Sequence, residues 1–252
     1  MTIKSMYSEL SKLYPENLRA EWDNDGIMCC DDYNKTVNKI LISLDITMEV
    51  VDYAVENQFD LIISHHPLVF TSQKSLTPDK HTQRKLIKLI KNGVSVFSFH
   101  TRLDAADGGV NDILCRILGL NSIQKDERDP VGRIGILNEP TELSTFAEKV
   151  KSLLNSPFVL YNGDKDVNKV YVVGGDGKDL IPNAIFLGAD TLFTGRASYN
   201  TIIDAKDIGL NIIEAGHFFT ENPICEKIKN DILSITPSVK TEIYTSFQLK
   251  NI

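Results

Sequence analysis

The chain has 252 residues, 42% of them hydrophobic and 24% charged, with a formal net charge of -7 and a pI of about 5.3. This is the composition of an ordinary folded protein, long enough for one large domain or two small ones. The acidic balance is the wrong sign for a non-specific binder of nucleic-acid phosphates, so a nucleic-acid partner is disfavoured. The densest basic stretch, 80–91 with Arg84, Lys85 and Lys88, has helical spacing and is expected to form the solvated face of a surface helix. Cys29, Cys30, Cys115 and Cys225 show no CxxC spacing and argue against a disulfide framework, which makes a reducing cytoplasm the expected setting. The polar stretch 1–13 holds no apolar leader core, and no run approaches the roughly 18 apolar residues that span a bilayer, so neither secretion nor membrane insertion is expected.

Short apolar runs alternate with helix-period segments along the whole chain. The pattern predicts a strand at 40–45, a helix at 48–59, strands at 61–63 and 94–99 separated by a helix at 84–91, and a helix at 110–118 stopped by Gly119. It restarts after Pro130 with strands at 134–137, 158–161, 170–173, 192–193 and 210–214. Helices are expected at 143–154, 182–187, 199–207 and 224–233, with turns at Gly174-Gly175-Asp176-Gly177 and Gly188. The expected fold class is α/β, with two similar lobes of mostly parallel or mixed sheets flanked by helices. The lobes are expected at 1–125 and 126–252, and functional groups at the carboxyl ends of strands.

Three segments carry chemistry at such positions. Ser64-His65-His66-Pro67 follows an apolar strand, and departure from the sheet at Pro67 frees two adjacent imidazoles from strand alternation. His100-Thr101-Arg102-Leu103-Asp104 places a carboxylate beyond the next strand, and Gly108-Gly109 opens a helix whose N-terminus favours anions. Glu214-Ala215-Gly216-His217 ends a third strand, with Glu221 four residues on. Neutral imidazoles beside carboxylates are the donors that borderline divalent metals prefer, and His65, His66, Asp104, His217 and Glu221 are the expected ligands. Such a set suffices for two ions about 3.5–4 Å apart. Their identity is open among zinc, iron, manganese, cobalt and nickel, and histidine-rich ligation argues against magnesium or calcium. His81 and His100 are read as ordinary polar residues, Asp107 and Asp112 as turn and cap residues, Cys225 as core, and Cys29-Cys30 as lacking a partner motif.

Together with Trp22-Asp23-Asn24, Gly108-Gly109-Val110-Asn111-Asp112 and Thr194-Gly195, these motifs resemble the GTP cyclohydrolase 1 type 2 homologue family, also called the NGG-interacting-factor-three-like family. The resemblance runs through nearly the whole chain in the expected order and is to the short form, without the domain that some members insert. It implies a two-lobed protein, a homohexameric ring, and a dinuclear centre between the lobes on the same five residues. It also implies a metal-dependent hydrolase that uses a metal-bound hydroxide on a nucleotide or related heterocycle, with the guanine imidazole ring of GTP as the named target. The catalytic residue is open, Glu221 being one choice. The chain departs from the family pattern at Arg196, Asp176 and Asp25, and contains no phosphate-binding loop of Walker type. Phosphates would then fall to the helix start after Gly108-Gly109 or to Arg102 and Arg196. A reading from a different class is a non-catalytic metal-handling or partner-binding ring protein.

Overall fold

In this computed structural model, which describes residues 1–247, the apolar runs form the strands of two separate sheets. Among the described residues two compact units result: Met1–Ala106 together with 224–247, and Asp107–Pro223.

The first unit opens on α1 (Ile3–Leu13), started by a capping box between Thr2 and Ser5 and buried along Ile3, Met6 and Leu10, one helical face. It continues through β1 (Gly26–Cys29), β2 (Lys39–Ser43), α2 (Met48–Glu56), β3 (Leu61–Ser64), α3 (His81–Lys91), β4 (Ser95–Ser98) and α4 (Thr101–Ala105). Strands β2, β3 and β4 are parallel and almost wholly buried, as continuous apolar runs covered on both faces should be. β1 joins antiparallel beside β4. Leu41, Ile62 and Val96 pack with Val50, Val51 and Ala54 of α2 and with Leu86 and Leu89 of α3. Lys85 corrects the expectation of a solvated basic face. It is buried, its ammonium donates to the Ile46 carbonyl, and burial lowers its pKa.

The second unit contains α5 (Val110–Leu118), β5 (Asn121–Lys125), β6 (Arg133–Thr141), α6 (Leu143–Leu153), β7 (Leu160–Asn162), β8 (Val167–Asp176), α7 (Ile181–Phe186), β9 (Thr191–Arg196), α8 (Tyr199–Asp207), β10 (Asn211–Glu214) and α9 (His217–Glu221). Its sheet runs β5-β6-β8-β9-β10-β7. Strands β8, β9 and β10 are parallel, joined by helical crossovers, while β5, β6 and β7 pair antiparallel with their neighbours, so this sheet is mixed.

The chain then returns to the first unit. Helix α10 (Ile224–Ile235) packs on α1, with the Tyr14 hydroxyl donating to Asp231, and β11 (Lys240–Ile243) pairs parallel with β2. The division therefore differs from the expected one after residue 125. Helix α5 and β5 belong with the second sheet, and α10 and β11 with the first. Among the described residues no helix is long and apolar enough to cross a membrane.

Candidate metal centre

In the first sheet Ser43, Ser64 and Ser98 lie side by side, so β2, β3 and β4 end level, and Asp45, His65, His66 and His100 follow within two residues of those ends. The serine hydroxyls fasten the ends. Ser43 Oγ donates to the Asp45 carbonyl, and Ser64 Oγ lies against the His66 carbonyl and Ser98 Oγ, each at 2.8 Å. Beyond the regular ladder the imidazoles of His65 and His66 converge, with ring centroids 5.1 Å apart, and His100 stands 5.2 Å from the first and 5.7 Å from the second.

Each ring is held by its Nδ1. His65 Nδ1 lies 3.0 Å from the Phe99 carbonyl, which can only accept, so the proton sits on Nδ1 and the lone pair on Nε2. His66 Nδ1 is 2.7 Å from Asp45 Oδ1, and His100 Nδ1 is 2.9 Å from Asp23 Oδ1. A carbonyl or carboxylate behind the imidazole is what orients a metal-ligating histidine and raises its basicity. One ring nitrogen from each of His65, His66 and His100 lies within 4.8 Å of the others, and Asp104 Oδ1 stands 3.6 Å from His65 Nε2. The donor chemistry fits a borderline divalent cation.

His100, read from sequence as an ordinary polar residue, thus sits within the cluster. A local signal marks it: His100 precedes Asp104 by four residues, as His217 precedes Glu221, and each pair begins within three residues of a strand end. Asp23 is equally important. It accepts from His100, from Thr101 N at 3.1 Å and from Thr101 Oγ1 at 2.6 Å. Burial pushes this carboxyl up, but the bonds from His100 and Thr101 outweigh it and hold its pKa at about 2.

The Asp25 departure has a structural cause. Its carboxylate lies 2.8 Å from Arg102 Nε, both side chains fully buried, and the guanidinium also donates to the Tyr14 carbonyl at 3.1 Å and to Tyr7 Oη at 3.0 Å. Arg102 is therefore an internal strut and not a phosphate ligand. The helix start at Gly108-Gly109 has its own anion, because Gly108 N donates to Asp112 Oδ2 at 2.6 Å. Asp112 thus braces the turn that precedes α5, whose N-cap Gly109 has no side-chain cap, and it also pairs with Arg133 at 2.7 Å. Arg196, at the end of β9, is exposed.

In the second unit α9 follows β10 after two residues, and its single turn places His217 Nε2 2.9 Å from Glu221 Oε2. The Gly174–Gly177 turn packs on this helix. Gly175 N donates to Thr220 Oγ1 at 3.1 Å, Gly177 N to Thr194 Oγ1 at 3.0 Å, and Gly174 N to Asn111 Oδ1 at 2.6 Å. Gly175 has φ +64°, and a Cβ there would stand 2.2 Å from Glu221 Oε1. At Gly195 a Cβ would stand 2.4 Å from Thr220 Oγ1 and 2.7 Å from the Gly175 carbonyl. The two glycines therefore let turn, strand and helix close around the Glu221 carboxylate. His65, His66 and Asp104 belong to the first unit, and His217 and Glu221 to the second. His81 is exposed at the start of α3, and Cys225 is buried with its thiol pushed up to about 12 by desolvation.

These features define an α/β protein that carries imidazole and carboxylate donors just beyond strand ends in each of two units. The chain belongs to the Duf34/NIF3 (NGG1p interacting factor 3) family, whose sequence model matches residues 1–250. It is 37% identical over 240 residues to a Clostridium perfringens protein named GTP cyclohydrolase 1 type 2 homolog, covering 92% of this chain and 91% of that one. Among solved structures it resembles a Bacillus cereus protein related to NIF3, with a TM-score of 0.89, 25% identity, and coverage of 100% of this chain and 98% of the other. It also resembles reduced HcgD from Methanocaldococcus jannaschii, with a TM-score of 0.85, 26% identity and 98% of each chain covered.

Proposed function

We propose that this chain is a metal-dependent hydrolase acting on a nucleotide or related heterocycle, with His65, His66, Asp104, His217 and Glu221 holding two divalent ions. The observation that carries this reading is the set of three imidazoles in the first unit, each tethered through Nδ1 and each offering a ring nitrogen within 4.8 Å of the others. His100 joins the proposed ligand set on the same ground. When bound, such ions supply Lewis acidity and a water acidified towards neutrality. The chain's part is to orient the donors. Asp45, Asp23 and the Phe99 carbonyl fix the imidazoles, and the turn at Gly175 seats the Glu221 carboxylate. The nucleotide substrate is suggested by the names of relatives such as the Clostridium perfringens GTP cyclohydrolase 1 type 2 homolog. Assembly into a homohexameric ring and a cytoplasmic setting belong to the same proposal, and the four free thiols are in keeping with a reducing compartment.

The test is GTP turnover by chromatography on protein reconstituted separately with zinc, manganese and iron, with Glu221→Ala as control. Product that disappears in the variant is the expected result. Full metal occupancy without turnover would remove GTP as the substrate. Asp104→Ala and Glu221→Ala should both lose metal while staying folded, His81→Ala should not, and full retention in the first two would overturn the ligand set.

A further inference from the structure

We propose that Trp22 and Phe70 form an aromatic platform that takes the planar ring of a purine nucleoside or nucleotide at the edge of the histidine cluster. The proposal deepens the reading of this site as one that acts on nucleotide-like molecules and rests on it. Trp22 is the only tryptophan of the chain and is 67% exposed, and Phe70 is 52% exposed. Their rings are 6.2 Å apart and tilted by 56°, and both stand edge-on to His100, at 6.1 Å and 6.3 Å. The aromatic surface is thus continuous with the imidazoles of the candidate centre.

The segment that carries Trp22 is fastened on both sides of its ring, and the chain entering Phe70 is tied to it. Asp23 accepts from His100 and Thr101, Ala20 N donates to Thr101 Oγ1 at 3.0 Å, and Asn24 Nδ2 donates to the Val69 carbonyl, tying the Trp22 loop to the residue before Phe70. Fixed backbone on both sides with a large ring left in solvent is a preorganised surface, since little freedom remains to be lost when a ligand settles on it. The rings touch each other at an angle, so a ligand ring lies on the open face of Trp22 and not between the two. Base-on-aromatic stacking accepts any π face and contributes about 1–3 kcal/mol per base. The aromatic island is small, ringed by exposed Glu21, Asn24, Thr71 and Ser72. A second protein surface needs on the order of 800 Å² per partner, more than two rings supply. A planar small molecule whose polar remainder faces imidazoles and carboxylates fits this combination of ring face and polar border.

Because Trp22 is the sole tryptophan, its emission reports the site directly. Metal-replete protein titrated with guanosine and with GTP should show saturable quenching of that emission. Calorimetric affinity for both should fall by about 5- to 150-fold in Trp22→Ala and be largely restored in Trp22→Phe, the range given by stacking of one base. Phe70→Ala should weaken binding in the same direction. Metal content, tripolyphosphate binding and the mass in solution should stay as in the wild type. Unchanged purine affinity in Trp22→Ala, absence of saturable purine binding to the metal-replete wild type, or a change of mass or metal content in Trp22→Ala would each overturn the platform. Quenching and tight binding without turnover would leave it standing and remove GTP as the hydrolysed substrate instead. Turnover with an unaltered KM in Trp22→Ala would do the reverse.

Discussion

Replacing Arg102 with Met tests whether this residue of the His-Thr-Arg-Leu-Asp motif is a strut of the first unit. The guanidinium and the Asp25 carboxylate are fully buried and 2.8 Å apart, and the substitution keeps the apolar stem while leaving the carboxylate with Arg19 Nη1, 3.6 Å from its other oxygen, as the nearby cation. Removing one partner of a buried pair costs about 3–5 kcal/mol. Arg19 is partly exposed and offsets some of this, so the expected loss is at the lower end, about 3 kcal/mol. At about 2–4 °C per kcal/mol for a chain of this size, Tm should fall by about 6–12 °C. The double variant Arg102→Met with Asp25→Leu removes the orphaned charge. What remains is chiefly the Tyr14 carbonyl, deprived of its donor, together with the long 3.3 Å bond from His100 N that leaves with the Asp25 carboxylate, because the Tyr7 hydroxyl still donates to Glu16 at 2.9 Å. One unsatisfied buried acceptor costs about 1–3 kcal/mol, so the double variant should be the more stable of the two, by about 1 kcal/mol. Urea unfolding at pH 7 followed by Trp22 emission reports the unit concerned, since Trp22 lies within it. A single-variant loss below about 1 kcal/mol, or a double variant no more stable than the single, would refute the reasoning.

Three further outcomes are expected. Asp45→Ala removes the carboxylate 2.7 Å behind His66 Nδ1 and should weaken metal binding by about 10- to 100-fold in competition with a chelator, without unfolding the chain; unchanged affinity would remove Asp45 from the site. Gly175→Ala forces a Cβ to within 2.2 Å of Glu221 Oε1 at a φ of +64°, so metal content should fall as it does in Glu221→Ala although no ligand has been replaced; full metal retention would show that Glu221 is not held by this turn. Glu142 caps α6 by accepting from the Ser144 hydroxyl, from Thr145 N at 2.9 Å, from Ser144 N at 3.1 Å and from the Thr145 hydroxyl, bonds that hold its carboxyl down at about 2. A depressed folded pKa stabilises above the unfolded value and is lost as pH falls through the folded one. The difference in urea midpoint between wild type and Glu142→Ala should therefore be full at pH 6 and shrink towards pH 2, and a difference that grows on acidification would contradict the capping role.

The legible part of this fold is the part whose burial is two-sided. Strands β2, β3 and β4 read as apolar runs because helices cover both faces, and placing chemistry at their carboxyl ends follows from parallel topology alone. Strand membership is not legible in the same way. β11, Lys-Thr-Glu-Ile, and β5, with almost every residue exposed, show no hydrophobic period, and the backbone bonds that assign them to a sheet leave no mark on side-chain type. Helix α1 is legible in its spacing, Ile3, Met6 and Leu10 behind a Thr cap, yet a stretch judged by its mean polarity conceals that stripe. Arg102 misleads for a different reason. A charged residue beside a catalytic-looking motif suggests a ligand contact, and its burial is decided by a carboxylate 77 residues away.

His100 shows what a local geometric rule adds to odds for single residues. A lone histidine at a strand end is more often a satisfied polar group than a ligand, and by that standard His100 is passed over while the adjacent pair His65-His66 is not. The rule that separates them is the spacing His-x-x-x-acid immediately after a parallel strand. A single helical turn brings positions i and i+4 to the same side, so the imidazole and the carboxylate face one way whatever lies between them. The second unit meets this condition with His217 and Glu221 across α9, 2.9 Å apart; the first repeats the spacing with His100 at the N-cap of α4 and Asp104 within it, and there the His100 imidazole joins His65 and His66. Both helices are five residues long, too short for hydrophobic periodicity to reveal. The two units thus share a spacing while its partners differ, and in the first it is Asp23, 77 residues upstream, that supplies the carboxylate turning His100 into an oriented donor.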